Sequence, residues 1–153
     1  FVESAAAALQ RHGAEVVRVV ADEADLAPGV LADRLREIAT DPSGIGGVLS
    51  LVGVDERPCA EHPAVSRGLA LTLTLVRALV EADIRTRLWC ATRGAVSVGR
   101  SDRLTSTVQA EIWGLGRAAA LEHPRIWGGL VDLPETLDER AAARLAWALS
   151  AED

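Results

Sequence analysis

The sequence contains no tyrosine, no methionine, no asparagine and no lysine, and all 16 of its Lys+Arg residues are arginine. The missing phenol and primary amine have the largest consequence. Hydride-transfer enzymes on α/β folds commonly use a phenol as proton donor, with an ammonium nearby to depress its pKa. That pair cannot be built here. Arginine is no substitute, because a guanidinium stays charged far above neutral pH and shuttles no proton. Cysteine is scarce: Cys59 and Cys90 are too few for the disulfide framework of a small secreted domain. Long apolar runs are lacking as well. The most apolar stretch, residues 69–80, is broken by Thr72, Thr74 and Arg77 and is too short and polar to span a bilayer. No basic front followed by an apolar middle marks a secretory signal. There is no basic stripe either; 22 acids outnumber the arginines and the net charge is −6, which disfavours a nucleic-acid partner. The expectation is a cytoplasmic protein with neither a membrane nor a nucleic acid as partner.

What is present describes one globular domain. Its 153 residues are 49% hydrophobic and 25% charged, enough to bury a real core. The chain opens on Phe1-Val2-Glu3-Ser4 without an initiator methionine, and the expectation is a piece of a longer polypeptide.

Helical and extended patterns alternate. Residues 1–12 predict a helix closed by Gly13, and the β-branched run at 14–20 predicts a strand. A helix follows over 27–40, then a short apolar strand at 47–52, of the kind buried on both faces. Residues 63–82 predict a long helix, 87–92 a strand, 105–122 a helix, 129–133 a strand and 137–149 a last helix. Alternation with short connections requires parallel strands joined by crossover helices, hence an open α/β sheet with helices on both faces. The helix over 69–80 is apolar almost all round, so more than one side of it should be covered.

Candidate chemistry is thin. Gly114-Leu115-Gly116-Arg117-Ala118-Ala119, with Asp132 downstream, matches a dinucleotide-binding turn if Ile112-Trp113 ends a strand. The competing reading puts both glycines inside a helix, where they permit close packing. A zinc site could in principle draw on Cys59, His62, Cys90 and His123, but no second closely spaced ligand pair exists. A triad of Ser50, His123 and Asp132 lacks the G-x-S-x-G setting of a nucleophile. Trp113 and Trp127, flanking a glycine-rich stretch, are the best aromatic candidates for an interface.

The segments Leu88-Trp89-Cys90-Ala91-Thr92-Arg93-Gly94-Ala95-Val96, Ala110-Glu111-Ile112-Trp113-Gly114-Leu115-Gly116-Arg117, Ala120-Leu121-Glu122-His123-Pro124 and Trp127-Gly128-Gly129-Leu130-Val131-Asp132-Leu133-Pro134 carry a resemblance. From about residue 14 to 148 the chain resembles the structural subdomain of ketoreductases in bacterial modular (type I) polyketide synthases. That family's ketoreductase has two halves, each similar to a short-chain dehydrogenase. The second half binds NADPH and carries the catalytic Ser, Tyr and Lys or Asn. The first is a truncated Rossmann-like copy without cofactor that braces the second.

The resemblance implies a non-catalytic scaffold. Strand 87–92 resembles the one that bears the catalytic serine, but here it runs into Arg93-Gly94-Ala95-Val96. The helix that would offer tyrosine and lysine reads Thr107-Val108-Gln109-Ala110-Glu111-Ile112-Trp113. No catalytic, cofactor-binding or metal residue carries over. The expected architecture is a truncated Rossmann-like parallel sheet lacking the family's opening strand, which would precede Phe1. A catalytic half is expected after the chain, or, in some modules, an enoylreductase inserted between the halves. That catalytic half would use NADPH to reduce the β-keto group of a polyketide held on an acyl carrier protein, which this chain would meet only indirectly. The two long helices, 63–82 and 105–122, are expected to dock on it through Leu69, Leu73, Leu75, Val76, Val80, Trp113, Leu115 and Trp127. The alternative is an autonomous nucleotide-binding protein using Gly114–Ala119.

Overall fold

The computed structural model describes residues 1–40, 44–99 and 103–150. Three parallel strands form one sheet in the order β1 (Gly47–Ser50), β2 (Arg87–Arg93), β3 (Trp127–Leu133). Each strand shows the period of two expected of a sheet covered on both sides. Val48, Leu88, Cys90 and Leu130 belong to one hydrophobic cluster, while Leu49, Ala91, Val131 and Leu133 belong to a second. Among the described residues, five α-helices cover the two faces. The first cluster is closed by α2 (Val30–Ala39), α3 (Arg67–Glu81) and α4 (Ala110–Glu122). On the second face lie α1 (Val2–Arg11) and α5 (Glu139–Ser150), packed on each other around the small buried residues Ala5, Ala8, Ala142 and Ala146. The result is a Rossmann-like α/β fold.

Two glycine positions set the geometry around β3. The register between β2 and β3 slips after Leu88, leaving Gly128 as an extra residue. A Cβ on Gly128 or Gly129 would come within 2.6 or 2.7 Å of the Trp89 indole, and Gly129 has φ +146°. Only glycine lets that ring lie across the strand. On the other face, a Cβ on Gly116 would sit 2.6 Å from Leu130 Cδ1 and 2.8 Å from Trp127 Cζ2. Helix α4 therefore crosses β3 at the closest distance the backbone allows.

Several expected elements differ. Residues 14–20 do not form a strand. The run is β-branched, but a strand needs a ladder partner. Among the described residues β1 pairs only with β2, and Val17, Val19 and Val20 stay exposed. For the same reason β1 is half-buried and not enclosed. Helix α3 begins at Arg67, not residue 63, because Ser66 caps it: the Leu69 N–H donates to Ser66 Oγ at 3.2 Å. Helix α4 begins at Ala110, not residue 105. The N–H groups of Thr105 and Ser106 donate to Gly94 O at 2.9 and 3.0 Å, which closes the loop after β2 and keeps those residues out of the helix.

Candidate docking face and the carboxyl end of the sheet

Open parallel sheets hold their ligands beyond the carboxyl ends of the strands, and in this fold several of the polar side chains at that end are engaged with the chain's own groups. Thr92, fully buried near the end of β2, donates from Oγ1 to Asp132 Oδ1 at 2.6 Å. The same hydroxyl accepts the Trp113 indole N–H at 2.9 Å. Asp132 Oδ1 also accepts the Ala95 N–H at 3.1 Å. Beside this chain, Gln109 accepts the Arg93 N–H through Oε1 at 2.7 Å and donates from Nε2 to Glu56 Oε1 at 2.8 Å. Hydrogen bonds from Ser106 and then Gln109 hold the Glu56 carboxyl below its ordinary range. These contacts tie α4, β2, β3 and the loop after β2 together. None supplies a nucleophile poised beside a base.

The dinucleotide pattern does not make its turn. Gly114 and Gly116 lie inside α4, and Ile112-Trp113 is helix, not the end of a strand. The glycines therefore do not form the phosphate-cradling turn a dinucleotide needs. Gly116 serves the close crossing of β3, as the helix reading expects, while a Cβ on Gly114 would meet nothing within 4 Å. Asp132, the residue that would hold a ribose, is committed to Thr92 and Ala95. Gly114–Ala119 and Asp132 as placed here do not fit a dinucleotide.

The other two constellations do not assemble. His123 ends α4 and accepts the Trp127 N–H through its carbonyl, at the amino end of β3. Asp132 is five residues further along that strand, about 16 Å away at the rise of a β-strand, so the Ser50–His123–Asp132 triad is not formed. Ser50 Oγ is buried without a hydrogen-bond partner among the described residues. Cys59 and Cys90 are both buried free thiols, and burial pushes the Cys90 thiol up to about 12. Among the described residues, no three His, Cys, Asp or Glu side chains gather as metal ligands. Among the described residues, no helix is long and apolar enough to cross a membrane.

The expected docking residues divide. Leu75, Val76 and Trp127 are buried in this domain's own core, at 9%, 3% and 9% exposure, so an all-round apolar helix is partly explained by its own sheet. Leu69 and Leu115 are half-buried, and Trp113 turns its indole N–H inward to Thr92. Leu73 and Val80 are exposed, and with Arg77 they fall at the i, i+4, i+7 spacing of one stripe on α3. Helix α4, packed beside α3, carries exposed Gly114, Arg117 and Leu121 at similar spacing. Leu121 is 85% exposed and was not among the expected residues. Its signal was available: a leucine seven residues from Gly114, on the side opposite buried Ile112 and Ala119. The two stripes expose Leu73, Val80 and Leu121, interleaved with Arg77 and Arg117.

Comparison with known proteins agrees with this architecture. Residues 2–153 match the family described as polyketide synthase extender module SpnB, Rossmann fold domain. Polyketide synthase GfsA of Streptomyces halstedii is 54% identical over 155 residues, covering 99% of this chain and 2% of that protein. The pikromycin polyketide synthase component PikAII of Streptomyces venezuelae is 47% identical over 152 residues, covering 94% of this chain and 4% of that protein. A C2-type ketoreductase from a modular polyketide synthase superposes with a TM-score of 0.90 at 45% identity, over 97% of this chain and 32% of that one. An A-type ketoreductase superposes at 0.84 and 44% identity, over 95% and 30%. The chain thus spans a small fraction of the curated relatives and about a third of the solved ketoreductases.

Proposed function

The chain belongs to the family of Rossmann-fold domains of polyketide synthase extender modules, and from that premise we propose that it is the non-catalytic half of a ketoreductase, bracing a catalytic half that binds NADPH. The catalytic half reduces the β-keto group of a carrier-bound polyketide, and this chain supplies its support. The outer face of α3 and α4, with Leu73, Val80 and Leu121 exposed, carries this reading. Exposed apolar side chains on two adjacent helices, interleaved with Arg77 and Arg117, suit a docking face. The residue inventory supports it from the other side, since the sequence offers neither the phenol nor the amine of a short-chain reductase.

The proposal includes an opening strand from the preceding part of the parent polypeptide, lying along the outer edge of β1. The unpaired edge and the exposed valines of residues 14–20 support it. Extending the chain upstream should raise amide-exchange protection at 14–20 and at β1; unchanged exchange in the extended chain counts against that strand.

The docking face is tested by association. The chain should co-purify with the separately expressed catalytic half. L73D together with L121D should weaken the complex by about tenfold or more, the scale of interface anchors. Trp147, 73% exposed on α5 on the opposite face of the sheet, is the control: W147D should leave association unchanged. A double variant that binds as tightly as the original removes the docking role of α3 and α4. Leu75 is unsuitable for this test, because a charge there would damage the domain's own core.

A further inference from the structure

A notch of about 290 Å³ opens where α3 and α4 both end, between the turn that leads into β2 and the turn that leads into β3. Leu79, Ile84 and Ile126 line it, and all three are buried, so its floor is apolar core. One wall comes from Val80 on α3, the other from Glu122 and Pro124 at the end of α4. The rim's two acids, Asp83 and Glu122, balance its two arginines, Arg85 and Arg125, so charge does not select the occupant. The volume lies just under the range of small-molecule sites and suits one large side chain. Val80 also closes the exposed stripe that begins at Leu73, and Leu121 directly precedes Glu122, so the docking face of α3 and α4 runs into the notch. At the α4 wall His123 donates its N–H to Ala119 O, but Pro124 has no N–H, which leaves the Ala120 carbonyl without its helical donor.

We propose that this notch is the anchor pocket of the docking face and takes one aromatic side chain, Trp or Tyr, from the catalytic half of the ketoreductase. The proposal rests on the docking reading above and adds where the contact is strongest. The solved ketoreductases that superpose on this chain extend well beyond it, since it covers 32% and 30% of them, and that remainder supplies the partner. Interfaces concentrate their affinity in a few anchors seated in pockets, among which Trp and Tyr are prominent. Each has an apolar ring for the floor and an N–H or O–H for a carbonyl such as the one Pro124 leaves without a donor.

The test is methyl NMR on the complex of this chain with the separately expressed catalytic half, with isoleucine methyls labelled in this chain only. A ring seated on the floor should move the Ile84 and Ile126 signals upfield through its ring current. Ile112, ten residues before Glu122 on α4 and about 15 Å away along the helix, should stay in place. V80W and, from the opposite wall, E122W each fill the notch with this chain's own side chain. Both should weaken association about tenfold or more, with an unchanged circular dichroism spectrum. Ile84 and Ile126 signals that do not move in the complex overturn the proposal, as does undiminished binding by both tryptophan variants; a loss of binding in L73D/L121D beside either result leaves the docking face standing. Normal binding by L73D/L121D with Ile84 and Ile126 still shifted removes the stripe and keeps the notch.

Discussion

Two short runs of this chain look alike on paper and behave differently in the fold. Residues 14–20 and residues 47–50 are both short, valine-bearing and preceded by glycine. The second pairs along β2 from Gly47↔Arg87 to Ser50↔Cys90 and becomes a strand. The first has no neighbour to pair with, and its Val17 and Val20 are 66% and 65% exposed. Extended propensity is a property of residues, whereas a strand is a property of a pair. Preference for the pleated sheet is mostly preference for a packed, half-buried surface, and residues 14–20 have none.

The sharpest way to break this contrast is to delete packing where pairing succeeded. Leu88, fully buried in the middle strand, should cost about 2–5 kcal/mol as Leu88→Ala in denaturant unfolding. A loss below about 1 kcal/mol would mean that the sheet is not the stabilising centre. Next comes the close crossing: Gly116→Ala should cost about 1–2 kcal/mol, since the new methyl overlaps Leu130 and Trp127 by more than its helical preference returns. Two residues away the sign reverses. Gly114 faces open space, so Gly114→Ala should stabilise the chain by about 0.5–1 kcal/mol; a loss there would show that α4 is more crowded than the fold describes. Smallest of all, Val17→Thr should change stability by less than about 0.5 kcal/mol. A larger cost would place residues 14–20 in a packed element after all.

The order of elements was legible because periodicity reports which side of a segment is dry. The three strands of the sheet and the five described helices each overlap a segment singled out by apolar or β-branched runs or by helical periodicity, while the fourth expected strand, 14–20, did not form. Helix starts were less legible, since they depend on distant acceptors. Nothing local to Thr105 or Ser106 announces that both donate to Gly94 O. The docking residues were half legible. An apolar surround on α3 announces that much of the helix is covered, but not which part the domain covers itself, and Leu75 and Val76 went to its own core. Asp132 shows the same limit: its spacing suited a ribose, while its actual partners, Thr92 and Ala95, come from another strand and the loop after it.

The absent side chain at Gly116 has a mechanical consequence. With no room for even a methyl between α4 and the Leu130–Trp127 surface, the helix cannot roll about its own axis without lifting off the sheet. Close-packed interiors transmit displacement because they do not absorb it. Leu121 and Arg117 are therefore presented at one fixed azimuth, and any body seated on them inherits its alignment from β3, as a shelf takes its level from the wall behind it.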